Sequence, residues 1–187
     1  MSEVTDVPAA TADEVLAFGT HLPAMLPAEP GSVQVRTVFD GFPAAVGALC
    51  ALVDGQPQGL VATSVTVGVS YDPPMALFSV RDDSATWPRL RRAPLIGISV
   101  LGEDQAAVCR QIAGQGDRFA GLDTLTSPDG ALFVDGAISW LRCSIEREVP
   151  AGDHAVVILR VHEVGHAQHT RPLVFHRSRF PVLRPAD

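Results

Sequence analysis

The sequence predicts a mainly β protein, a closed antiparallel barrel with a few added helices. Three observations lead there. Runs of β-branched and small apolar residues recur along the chain, separated by turn signals at Asp54–Gly59 and Asp72–Pro74. Helical patterns are few and short. No Gly-x-Gly-x-x-Gly follows a strand, which disfavours a Rossmann domain, and no repeat of about 20–50 residues appears.

The elements follow in order. Thr11–Glu14 resembles a capping box, so a short helix is expected through Phe18 before Pro23, Pro27 and Pro30 break the chain. Residues 1–31 thus form an N-terminal extension, and a single domain spans 32–187. Val35, Val38, Phe39 and Phe42 fall on one face of a helix capped by Ser32. Ala44–Val53 is the first strand, and Asp54–Gly59 turns it back as a hairpin.

The stretch Gly59–Trp87 carries most of the functional signal. Its first half interleaves hydroxyls (Thr63, Ser64, Thr66, Ser70) with apolar residues, more hydroxyls than a core strand needs. Gly68 suggests a β-bulge. Asp72-Pro73-Pro74 forces a turn into a second strand, Met75–Val80. Ser84 and Thr86 are good N-cap residues, and Pro88 is tolerated only in a first helical turn. Free N–H groups there, two hydroxyls and Arg81 can make a phosphate site. From spacing alone the commoner arrangement is an ordinary strand, a cap and a surface arginine.

Leu95–Leu101 is the next strand, and Asp104 is placed to cap a helix over Gln105–Ala113 with Ala107, Val108 and Ile112 inward. A Gly- and Asp-rich loop containing Phe119, Asp123 and Asp129 precedes three C-terminal strands: Ala137–Val149, His154–Glu163 and Leu173–Phe175. His162, His166 and His169 lie at a strand end, where residues four apart are ~13 Å apart, too far for one zinc; no metal is expected. His154 follows Gly152-Asp153 at a strand start, where the plain reading is a turn histidine held by Asp153.

Composition narrows the function. The chain has 187 residues, 47% hydrophobic and 19% charged, suited to one domain with a sizeable core. A net charge of −7 argues against a nucleic-acid groove, and Arg89, Arg91 and Arg92 read as a solvated helix face. Cys50, Cys109 and Cys143 are odd in number with no Cys-x-x-Cys, so buried free thiols in a reducing cytoplasm are expected. No signal peptide or bilayer-length apolar run appears, so neither a membrane nor nucleic acid is expected as partner.

The ordered strings Gly59–Thr66, Val69–Pro74 and Ser84–Trp87 resemble the flavin reductase family. Ile98–Leu101, Asp117–Gly121, Leu141–Cys143, Gly152–His154 and Pro172–His176 follow in the same order, so the resemblance covers roughly Val35–Leu183. It implies an FMN-binding split barrel and an NAD(P)H:flavin oxidoreductase, with FMN or FAD as flavin and NADH or NADPH as hydride donor. It also implies a homodimer, and a separate monooxygenase receiving the reduced flavin. On this resemblance Thr63, Ser64, Thr66, Arg81, Ser84, Thr86, Phe119 and His176 bind the flavin, and His154 positions the nicotinamide. Hydride transfer asks for two rings held at near-attack distance rather than a general acid, which agrees with the absence of a catalytic triad or carboxylate pair. Rival readings are an FMN-dependent oxidase or oxygenase, and a non-catalytic flavin- or haem-binding protein; turnover of NAD(P)H with added flavin separates them.

Overall fold

The computed structural model describes residues 27–167 and 171–183. The helix expected over 11–18 and His169 lie outside them. The chain divides into two compact units, residues 1–36 and 37–187. In the first, Ser32 Oγ accepts the backbone N–H of Val35 (3.3 Å) at the start of helix α1, Val33–Phe39.

The second unit is built on a seven-stranded antiparallel sheet. Chain order gives β1 (Ala44–Ala45), β2 (Gly47–Val53), β3 (Gln56–Ala62), β4 (Thr66–Tyr71) and β5 (Pro74–Arg81). Helix α2 (Trp87–Leu90), β6 (Ile96–Val100) and helix α3 (Ala106–Ala113) follow. The hairpin β7 (Thr124–Thr126) and β8 (Leu132–Val134) leads to the long β9 (Ser139–Ala151) and β10 (His154–His166), then β11 (Val174–Phe175). Hydrogen-bonded neighbours run β3-β2-β6-β9-β10-β5-β4. The ladder therefore has two edges and does not close on itself, which departs from the closed barrel expected from the sequence. Ser64 supplies a side-chain stitch between the end of β3 and β5: its Oγ accepts Ser79 N–H (2.9 Å) and donates to Ser79 O (3.1 Å).

Local chemistry explains the elements. The first hairpin turns on Asp54-Gly55 alone, both with positive φ (53° and 74°), the pairing that two-residue hairpins favour. The expected longer turn is thus shorter, and Gln56–Gly59 belongs to β3. The register of β4 on β5 slips between Val67 and Ser70, with Gly68 at φ +72°, as a bulge there requires. Asp72-Pro73 makes the β4–β5 turn, with Tyr71 opposite Pro74. On β5 the burial alternates strictly, with Ala76, Phe78 and Val80 inward.

Two apolar clusters result. One gathers Leu49, Phe78, Trp87, Leu90, Ile96, Ile98 and Leu159, with Phe78 edge-on to Trp87 at 5.3 Å. The other seats α3 through Cys109 and Ile112. Ala107, expected inward, is exposed, and Cys109 takes its place because the buried face runs through Gln105, Cys109 and Ile112. Gln105, rather than Asp104, stands at the N-cap position of that helix but makes no side-chain capping bond; its side chain accepts Gly102 N–H (3.0 Å) and donates to Asp135 O (2.7 Å). All three cysteines are free and buried. Burial pushes the Cys50 and Cys143 thiols up to about 12. Among the described residues no helix is long and apolar enough to cross a membrane.

Candidate functional site

Two clefts open along the same pair of segments, β3 and the strip 83–86 that leads into α2. The first, about 450 Å³, takes Leu60–Ala62 of β3, Thr63, Ser64, the β5 end Ser79–Arg81, Asp83, Ser84 and His154. The second, about 420 Å³, takes Gln56–Gly59, Ala85, Thr86, Arg89 and Gln115–Phe119.

The first cleft lies where β3 stops at Ala62 and the chain passes through Thr63 and Ser64 before β4 begins at Thr66. β5 runs on to Arg81, and β10 starts beside it, so His154 and Arg81 are register partners. Asp82 N–H donates to Asp153 O (3.1 Å), tying the two strand ends together. Arg81 is gripped by Asp83 in a two-pronged ion pair, Nε and Nη2 each at 2.8 Å. That hydrogen bond raises the arginine's pKa further and holds the Asp83 carboxyl below the usual carboxylate range. The pair is exposed, so its role is orientation rather than stability. His154 Nδ1 meets Asp153 Oδ1 at 2.8 Å, and this bond holds Asp153 below its ordinary value. With Nδ1 engaged, the imidazole has one defined orientation and its Nε2 remains for a ligand.

Ser84 and Thr86 divide the cap between them. Ser84 Oγ accepts the N–H of Trp87 (3.2 Å), whereas the Thr86 hydroxyl makes no capping bond. Arg118 Nη1 donates to it instead, at 2.6 Å. Trp87 Nε1 and Arg91 both reach the Glu148 carboxylate on β9 (3.4 and 3.0 Å), which anchors α2. In the second cleft the Phe119 ring lies over Gly59: a Cβ there would stand 2.7 Å from Phe119 Cζ and 2.7 Å from Cys50 Sγ. Only glycine allows that approach.

The structure thus gathers five of the sequence-derived site residues, Thr63, Ser64, Arg81, Ser84 and His154, around one cleft. Thr86 and Phe119 line the other. Thr66 sits on β4 opposite Leu77, exposed, and His176 Nε2 meets Gly41 O at 3.2 Å; neither lines the clefts described. His162 and His166 bond to Ser144 (2.8 Å) and Ser139 (3.1 Å), and no metal-type cluster occurs among the described residues. Sequence reasoning missed Arg118 as a site residue. Its place between Asp117 and Phe119 was the one available signal, since its partners are backbone oxygens and a hydroxyl that no spacing reveals.

Comparison with known proteins gives a consistent picture. Residues 39–184 match the family described as flavin reductase like domain. The chain is similar to the reductase subunit HsaB of a flavin-dependent monooxygenase from Rhodococcus jostii (strain RHA1), 31% identical over 81% of this chain and 78% of that protein. It is similar to a flavin reductase of Pseudomonas putida, 32% identical over 78% of this chain and 86% of that one. Among solved structures, the NADH:FAD oxidoreductase SgcE6 of Streptomyces globisporus C-1027 superposes with a TM-score of 0.79 at 30% identity, covering 88% of this chain and all (100%) of the other. The same oxidoreductase in complex with NAD and FAD fragments gives a TM-score of 0.79, at 30% identity over 87% and 98% of the two chains.

Proposed function

Because this chain belongs to the flavin reductase like domain family, we propose that it works as a flavin reductase at the first cleft, between Thr63, Ser84 and His154. It is an NAD(P)H:flavin oxidoreductase, and its reduced flavin serves a separate monooxygenase, as in the two-component systems of its relatives. The bound groups supply the chemistry, a hydride passing from NADH or NADPH to FMN or FAD.

The observation that carries the reading is the convergence on one cleft of the Thr63, Ser64 and Ser84 hydroxyls, a fixed guanidinium and a fixed imidazole. The cleft has the size of a small-molecule site, about 300–1,000 Å³. Thr63 is exposed with its hydroxyl unpartnered in the described chain, so it can bond the polar edge of a flavin. Ser64 contributes mainly as the stitch to Ser79, which holds the cleft wall and brings the open sheet toward a split barrel. Arg81, Ser84 and Thr86 bind the flavin phosphate in this reading and Phe119 borders the flavin from the second cleft, while Thr66 and His176, which line neither cleft, stay outer contacts that rest on the family resemblance alone. His154, oriented by Asp153, positions the nicotinamide.

Further parts of the reading have their own supports. Edge strand β4 presents Val67, Val69 and Tyr71, which are 60%, 45% and 87% exposed, a surface suited to a second copy of the chain. A homodimer is therefore expected, and monomeric mass by light scattering at full activity would contradict it. The three unpaired thiols suit a reducing cytoplasm. A barrel domain over 32–187 after an extension of 1–31 is part of the same reading; the family match over 39–184 and the compact unit from residue 37 fall within that domain. The test of function is direct. Purified protein should oxidise NADH or NADPH in proportion to added FMN or FAD; no oxidation with any pairing would refute it.

A further inference from the structure

We propose that the outer end of the second cleft seats the adenylyl half of FAD, so that Arg89, Gln56 and Gln58 select FAD over FMN. The proposal rests on the flavin-reductase reading above, in which Ser84 and Thr86 hold the flavin phosphate. Ser84 lines the first cleft and Thr86 the second. A group esterified to a phosphate on that strip therefore continues into the second cleft. FMN ends at its phosphate and leaves the outer end to water.

Three side chains give that outer end its chemistry. Arg89 is exposed on α2 with no carboxylate partner among the described residues, whereas Arg91 and Arg92 are held by Glu148 and Asp54. The three arginines are therefore not one uniform solvated row. Gln56 and Gln58 stand two residues apart on β3, an edge strand, and so share one face of the sheet. That face is the one α2 covers, since Leu60 and Ala62 continue it into the cluster with Trp87 and Leu90. Neither amide is bonded within the described chain, and Gln58 is half-buried, so its amide gains most from a ligand partner. A primary amide sets a donor beside an acceptor, and adenine N6 and N7 present the complement. A guanidinium suits the second phosphate of FAD or the face of its adenine ring. Asp117 is the one carboxylate lining the cleft and Arg118 offsets it, which leaves the Arg89 charge for an anion. The nicotinamide dinucleotide also carries an adenylyl group. FAD is favoured because its adenylyl half is tethered to the phosphate on the shared strip.

The test is equilibrium titration of FMN and FAD into wild type, Arg89→Ala, Arg89→Lys and a Gln56→Ala, Gln58→Ala double variant. Both flavins carry about two negative charges at neutral pH, so long-range attraction cancels in the ratio of their dissociation constants. Wild type should bind FAD on the order of tenfold more tightly than FMN. Arg89→Ala and the double variant should each shrink that preference to about threefold or less, and Arg89→Lys should keep more of it. An FMN dissociation constant that stays within about twofold shows that each variant is folded and that the loss lies in the adenylyl half. Equal wild-type affinity for FMN and FAD overturns the proposal, while oxidation of NADH or NADPH with either flavin would leave the reductase reading standing. A parallel loss of FMN and FAD in the variants also overturns it, because the three side chains would then serve the half both flavins share. So does a loss confined to the KM for NADH or NADPH, which would assign the adenylyl group to the dinucleotide. Protein that binds neither flavin and oxidises neither nicotinamide contradicts the reading beneath the proposal as well.

Discussion

The two clefts share a wall and differ in how they treat charge. Around the first, each ionised group is matched within the chain: Arg81 by Asp83, and His154 by Asp153 if protonated. Around the second, Arg118 rests on carbonyls and a hydroxyl, and Arg89 has no carboxylate partner among the described residues. Matched pairs orient side chains while adding little net field, which suits two stacked rings. An unmatched guanidinium attracts an anion. The difference teaches that the three-residue strip Ser84–Thr86 is a divider, one hydroxyl accepting a backbone N–H and the other a guanidinium.

The largest effect expected follows from removing that divider's hydroxyls. A Ser84→Ala, Thr86→Ala double variant should lose flavin affinity by about 1.5–3 kcal/mol, the usual worth of hydrogen bonds to a charged group. Because Ser84 also accepts Trp87 N–H, the variant should be less stable by about 0.5–2 kcal/mol, read by urea unfolding. Unchanged affinity would send the phosphate elsewhere. The next effect separates two adjacent hydroxyls. Ser64→Ala strands the Ser79 N–H and carbonyl and should cost about 1–3 kcal/mol of stability, whereas Thr63→Ala, which breaks no bond in the chain, should stay within about 0.5 kcal/mol. Equal costs would mean that the stitch does not hold the cleft wall.

The smallest effect concerns pH. Asp83 has its folded pKa lowered by the Arg81 hydrogen bond, so its contribution is present above the unfolded carboxylate value of about 3.9 and fades as pH falls through the lower folded value. The stability gap between wild type and Asp83→Asn should therefore be constant from neutral pH down to about 4 and close only below that. A gap that closes near neutral pH would show that another group governs the pair.

How much of this was legible in the sequence depends on the range of the interaction. Turn chemistry placed Asp72-Pro73 and the Gly68 bulge correctly, because proline and glycine act on their own backbone. The apolar run after the prolines gave β5, and the Gly-Asp-His string put His154 at a strand start. The β7–β8 hairpin was missed: its strands are three residues each, too short for any periodicity to register. Arg118 was missed as a site residue for a different reason. Its meaning lies in Gly59 and Thr86, which are 59 and 32 positions away, and only the fold brings them to it.

The central claim is that hydride transfer occurs at the first cleft with His154 as the residue that positions the nicotinamide. Anaerobic stopped-flow reduction of flavin by NADH or NADPH tests it most directly, in wild type, His154→Asn and His154→Ala, with flavin binding measured alongside. The account predicts that His154→Ala raises the KM for the nicotinamide and slows flavin reduction, that His154→Asn is milder, and that flavin affinity barely moves in either. His154→Ala matching wild type at every nicotinamide concentration would contradict it, leaving His154 a turn residue held by Asp153 and the hydride transfer elsewhere.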